Sequence, residues 1–258
     1  MTKWLLLLCV LTCNVNDTVS ERFSPPLGYK RVGAPAGSFA QFLRQLPLKP
    51  KGSAVLYYDG TPKANDGVYA AVIDLPIGKR DLHQCADAVM RLRADYFFSQ
   101  GRYDEIHFNF TNGFRADYSR WRKGERIAVK GNRVSWQKTA QPSDSRGSYW
   151  KYLEAVFMYA GTASLSKELK SVPLSDLAPG DVFIKGGFPG HAVIVLDVAI
   201  NTSGRKMFLL AQSYMPAQEA QVLYNPQSKT GSAWYPDDFG ETLVTPEWTF
   251  RSTDLKRF

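Results

Sequence analysis

Between Asp81 and Gln100 the apolar residues Leu82, Cys85, Val89, Leu92 and Tyr96 recur at steps of three and four, the period of a helix with one buried face. Asp81 fits the N-cap of that helix. Gln84, three residues on, fits the position from which a side chain reaches back to the cap N–H. Cys85 is then the fourth helical residue, with its sulfur leaning over the first turn, where free N–H groups and the positive end of the helix favour a thiolate.

Elsewhere shorter signals set the elements. Ile106, Phe108 and Phe110 alternate with His107 and Asn109, which predicts a strand with His107 on its more polar face, solvated or bonded structurally. The β-rich runs 54–58 and 68–75 flank DGTPKANDG and predict a hairpin with an exposed turn, and RIAVKGNRVSWQ predicts another through Gly131-Asn132. Ser38 caps a short helix on Phe39, Phe42, Leu43 and Leu46, which Pro47 ends. Trp150, Leu153, Val156 and Phe157 mark an amphipathic helix over 150–159, and a further short helix is expected around 164–170.

Residues 181–185, 191–200 and 206–214 are three β-runs joined by the turns GGFPG and NTSG, an antiparallel meander. The middle run is apolar on both faces and predicts a central buried strand. His191 is its first residue, behind small residues that leave room above it. Residues 21–37, rich in proline and glycine, read as an extended surface lead-in, and the tail from Pro216 onward has too little periodicity to assign.

With 258 residues, 44% hydrophobic and 22% charged, the chain reads as one globular domain over 21–258, in which 101–178 forms an insertion. Residues 1–20 read as a leader. MTKWLLLLCVLTC has a lysine before an apolar run too short to span a bilayer, as in a secretory signal, so export is expected. Cys13 closes that run after Val-Leu-Thr, a loose match to a lipoprotein cleavage site, which would leave the protein in the periplasm or anchored through a lipid on Cys13. Once the leader is cut, Cys85 is the one remaining cysteine and no intrachain disulfide can form. A net charge of +8 and a pI near 9.3 fit an anionic partner such as cell-wall polymer or a membrane surface, or simply a solvated basic surface. Without a basic block, nucleic acid is not expected.

A cysteine hydrolase needs a thiolate, a histidine that moves the proton, a polar residue that orients the histidine, and donors for an oxyanion. Cys85 and His191 supply the first two, if the fold brings them together. Gln212 or Ser213 on the neighbouring run would orient the imidazole. The Gln84 side chain and the Cys85 N–H would form the oxyanion hole. Against this stands the reading of Cys85 as a small apolar residue on a buried helix face. No G-x-S-x-G elbow or phosphate-cradling loop is present, and three dispersed histidines offer no zinc spacing, so neither a cofactor nor a metal is expected.

Gln84-Cys85 at a helix start, Pro179-Gly180-Asp181-Val182, and Gly190-His191-Ala192-Val193-Ile194-Val195 resemble the papain-like amidohydrolases and peptidases of the CHAP type. The resemblance implies an α+β papain-like fold, a cysteine-bearing helix packed on an antiparallel sheet, with Cys85 as nucleophile, His191 as base and Gln84 as oxyanion donor. Where such families carry Glu, Asp or Asn as the third residue, this chain reads Ala211-Gln212-Ser213. Across RFSPPLGY, DLHQCADAVMRLRADY, HFNFTNGF, GGFPGHAVIV, LLAQSYMPAQ and TPEWTF the chain also resembles a bacterial envelope family, the domain of unknown function numbered 4846. These readings lead to thiol-dependent hydrolysis of an amide bond in peptidoglycan or another envelope substrate. Two alternatives stand beside it: a non-catalytic papain-like module that binds a wall or surface ligand through its aromatic and arginine-rich insertion, and a structural envelope lipoprotein.

Overall fold

The computed structural model describes residues 17–258. The expected leader and Cys13 lie outside the described residues. Helix α1 (Val19–Arg22) and strand β1 (Tyr29–Arg31) come first, then helix α2 (Phe39–Arg44), strand β2 (Tyr69–Val72) and the long helix α3 (Cys85–Ser99). Residues 101–178 supply the strands β3 (His107–Asn109) and β4 (Arg115–Asp117), helix α4 (Tyr118–Arg122), and the strands β5 (Glu125–Lys130) and β6 (Arg133–Lys138). Helices α5 (Arg146–Tyr159) and α6 (Thr162–Glu168) and the two-residue strand β7 (Lys170–Ser171) complete that stretch. The meander follows as β8 (Val182–Lys185), β9 (His191–Asn201) and β10 (Lys206–Gln212). The tail adds β11 (Gln221–Leu223), β12 (Trp234–Pro236), β13 (Thr242–Val244), β14 (Thr249–Arg251) and β15 (Leu255–Arg257).

The architecture is mixed α+β, a large antiparallel sheet with few helices. Strands run in the order β2-β11-β10-β9-β8-β15-β7, with β1 paired to the far end of β9 and β12 to the start of β10. β9 is the axis of the sheet. It is buried from His191 through Ala199, as expected of a run apolar on both faces. Ala192, Ile194 and Leu196 face a core shared with α2, α3 and α5, whereas Val193 and Val195 face a second core under the β13–β14 hairpin with Phe250 and Leu243. A bulge between Leu209 and Leu210 of β10 shifts the register, so that Leu209 pairs with Asp197 and Leu210 with Val195. At that point Asp197, fully buried, accepts 2.6 Å hydrogen bonds from Arg31 of β1 and Arg44 of α2, fastening both to the sheet.

Four expectations are corrected. Residues 54–58 and β2 do not form a hairpin: β2 pairs with β11, and Leu56 and Tyr57 make isolated bridges to Pro62 and Gln218. The 21–37 lead-in is partly regular, because its β1 residues complete an open edge of β9. α3 starts later than Asp81. Gln84 is its N-cap, and Asp87 accepts a 3.0 Å hydrogen bond from the Gln84 N–H, so Cys85 is the first helical residue. Finally, α3 is buried around most of its circumference, including Ala88, Met90 and Ala94, because the sheet covers one side and residues of 101–178 the other. Among the described residues no helix is long and apolar enough to cross a membrane.

Candidate functional site

The start of α3 meets the start of β9. Cys85, the only cysteine among the described residues, is buried and lines a groove of about 470 Å³. Gln84, Ala86 and Asp87 line it from the same helix end, Phe157 and residues 160–163 from the α5–α6 junction, and residues 187–190 and Met215 from loops of the sheet. The 101–178 stretch therefore forms one wall. Most of the lining is small or apolar.

His191 stands at the first position of β9, opposite Lys185 of β8. Its Nε2 lies 2.8 Å from Gln212 Oε1. Gln212 is the last residue of β10, one beyond the Ala211–Ile194 pair, which puts it on the same face as Val193 and His191. An amide oxygen only accepts, so Nε2 carries the proton of the neutral ring and Nδ1 is left with a lone pair. Ser213 faces the other way. Its Oγ donates to the carbonyls of His83 (2.8 Å) and Gln218 (2.7 Å), which ties the chain ahead of α3 to the sheet. Of the two orienting candidates, Gln212 is the one that touches the ring.

The contact continues outward. Gln212 Nε2 donates to Glu247 Oε2 at 2.6 Å, Lys63 Nζ donates to the same oxygen at 2.7 Å and to Gln218 Oε1 at 2.9 Å, and Gln221 Nε2 donates to Gln218 Oε1 at 3.0 Å. The Lys63 side chain is 2% exposed, contrary to the solvated turn expected of DGTPKANDG. Glu247 sits in the turn of the β13–β14 hairpin. That hairpin also brings Trp248 and Phe250 to 5.4 and 5.9 Å from the His191 ring. Neither Lys63 nor Glu247 carries a sequence signal. A single lysine among glycine, proline and asparagine reads as loop, and Pro246-Glu247-Trp248 lies in the unassigned tail.

Cys85 approaches β9 at the N–H of Ala192, the residue after His191, and among the described residues no hydrogen bond joins its sulfur to the His191 ring, which packs against Trp248 and Phe250. Burial pushes the thiol up to about 11, with the Asp87 carboxylate adding to it; the N–H groups of Ala86, of Ala192 next to His191, and of Cys85 itself oppose the rise. Burial and then the Lys63 charge hold His191 down to about 4, against the Gln212 hydrogen bond. The helix start was expected to favour a thiolate. Desolvation outweighs it here, and both the thiol and the imidazole rest neutral. Asp87 is a buried carboxyl raised well above its usual range by the same cause.

The Gln84 side chain donates one N–H to Asp81 Oδ1 (2.9 Å), and Asp81 Oδ1 also accepts from the Ala217 N–H (2.7 Å). The second amide hydrogen of Gln84 and the Cys85 N–H, which has no helical acceptor, are the donors available to an oxyanion at the groove. Asp181 of the P-G-D motif plays a structural part, binding Arg257 of β15 through both oxygens (2.6 and 2.9 Å). His107 faces Glu168 at 3.3 Å in a separate cleft with Arg93 and Phe97. Among the described residues no group of three or more His, Cys, Asp or Glu is placed to hold a metal ion.

No curated protein and no solved structure matches the chain. Residues 19–257 match the family model described as Domain of unknown function (4846), and the chain belongs to that family.

Proposed function

We propose that this protein is a papain-like thiol hydrolase of amide bonds, with Cys85 as nucleophile, His191 as base and Gln212 as the orienting residue. The observation that carries this reading is the His191–Gln212 contact of 2.8 Å, which leaves Nδ1 unprotonated on a residue whose chain neighbour, Ala192, meets Cys85. In the reaction the Cys85 proton passes to His191 Nδ1 as sulfur attacks the carbonyl carbon. The Cys85 N–H and the Gln84 amide receive the oxyanion. His191 then returns its proton to the departing amine, and water, deprotonated by Nδ1, hydrolyses the thioester and restores the thiol. Because both groups rest neutral, charge is created only as the carbonyl is attacked. An extended acyl chain suits the largely apolar groove, and peptidoglycan peptides or another envelope substrate is the class we assign, on a protein exported to the periplasm or anchored there through a lipid on Cys13.

A second reading follows from the same site. The raised thiol and its missing hydrogen bond to His191 favour a papain-like module that binds a wall or surface ligand in the groove without cleaving it.

p-Nitrophenyl acetate separates the two without knowledge of the substrate. Mass spectrometry of the native protein is expected to show an acetyl adduct on Cys85 that decays in water. His191→Ala should slow its formation by about 10²-fold or more, the usual contribution of a general base. No native-state adduct, or equal rates in the variant, would leave the binding module as the surviving reading.

A further inference from the structure

The resting geometry leaves one question about Gln212. A glutamine amide can turn about its last bond and exchange oxygen for nitrogen with little change of shape. With NH₂ toward the ring, His191 would accept at Nε2 and carry its proton on Nδ1, the nitrogen that the hydrolase reading needs free. The ring alone does not choose, since each amide orientation has a matching tautomer.

The choice is made at the other end of the amide. Glu247 Oε2 lies 2.6 Å from Gln212 Nε2 and is paired with Lys63 at 2.7 Å. A carboxylate only accepts, so a turned amide would set oxygen against oxygen at hydrogen-bond distance in a buried site. Lys63 also donates to Gln218 Oε1, which accepts from Gln221 as well, so Lys63 is held between two acceptors and keeps the Glu247 carboxylate ionised and facing Gln212. We propose that the Lys63–Glu247 ion pair is a positioning device that fixes the Gln212 amide and, through it, holds His191 in the Nε2–H tautomer with Nδ1 open.

This accounts for the departure at the third position of the motif. The carboxylate expected directly against the imidazole is present, moved one side chain outward to Glu247. The amide between them passes on its direction without placing a negative charge on the ring. Its role as a base-setting device rests on the hydrolase reading; the tautomer assignment does not.

The test uses the full chain labelled with ¹⁵N at histidine, because the protonated and unprotonated ring nitrogens give well-separated resonances. The wild type is expected to show His191 protonated at Nε2. Glu247→Gln, nearly isosteric, should give a mixture of tautomers. The exchange Lys63→Glu with Glu247→Lys keeps an ion pair but places a donor beside Gln212, so the amide should turn and the proton should move to Nδ1. Acylation by p-nitrophenyl acetate should then fall to the level of His191→Ala, a loss of about 10²-fold or more. A merely structural pair would be rescued by the exchange. Should the exchanged protein fail to fold, Glu247→Gln decides alone. An unchanged tautomer in whichever variant folds overturns the proposal. A tautomer shift in a protein whose Cys85 is never acylated supports the positioning device and removes the hydrolase.

Discussion

The rings of His191 and Tyr214 meet edge to face, with centroids 4.9 Å apart and planes at 66°. Tyr214 follows Gln212 by two residues, so it shares that face of the chain and screens the His191–Gln212 contact from water. Since burial is the main cause of the low His191 value, Tyr214→Ala should let water in and move His191 upward from about 4 toward the ordinary 6.5. An NMR titration of the His191 ring checks this. A midpoint unmoved by the substitution would mean that Trp248 and Phe250 alone exclude solvent.

Asp197 joins three elements through one buried carboxylate. Replacing it with Asn leaves Arg31 and Arg44 without their counter-charge where β1 and α2 dock on β9. Breaking a buried pair from one side usually costs about 3–5 kcal/mol. Urea denaturation of Asp197→Asn should show a loss near the lower end of that range, because Arg31 remains partly exposed. A shift under about 0.5 kcal/mol, the scale of ordinary surface changes, would contradict the anchoring role.

His83 gives stability a direction in pH. Its ring is fully buried against Phe157, and burial, with Arg91 adding and backbone contacts of Gln218 and of His83 itself opposing, lowers it to about 3. A lowered histidine binds fewer protons when folded than unfolded. Its contribution is therefore complete above the unfolded value of about 6.5 and is lost as pH falls from there toward 3. Urea midpoints should drop over that window. His83→Leu should flatten the drop in part, the remainder coming from His191.

Gly190 was expected to leave room above His191. It instead lets α6 come close. A Cβ there would fall inside contact distance of Thr162 Oγ1 and lie 2.6 and 2.7 Å from the carbonyls of Gly187 and Lys185. Gly190→Ala should cost about 1–3 kcal/mol and shift the loop that borders the groove. A thermal melt reads the first effect and Cys85 acylation the second; wild-type values in both would refute it.

Legibility in the sequence tracks periodicity. α3, the β8–β10 meander and the β5–β6 hairpin follow from repeats of 3.6 or 2 and from Gly-Asn or glycine-rich turns. Cys85, His191 and Gln212 stand out because they sit at the ends of such elements. Lys63, Gln218 and Glu247 escape because each comes from an irregular segment, and only the closed sheet makes neighbours of residues more than 150 positions apart. The tail escapes for the same reason. Its strands are three residues long, too short for a period to register.

β15 lies between β8 and β7, inside the sheet although it is the last strand of the chain. During synthesis from the N-terminus, β8 and β7 are finished some 70 residues before the strand that separates them emerges. Glu247 arrives almost as late. A growing chain thus carries Cys85 and, once residue 191 is made, His191 with the sheet incomplete until β15 emerges. Order of emergence therefore makes the surroundings of His191 one of the last parts of the sheet to be assembled.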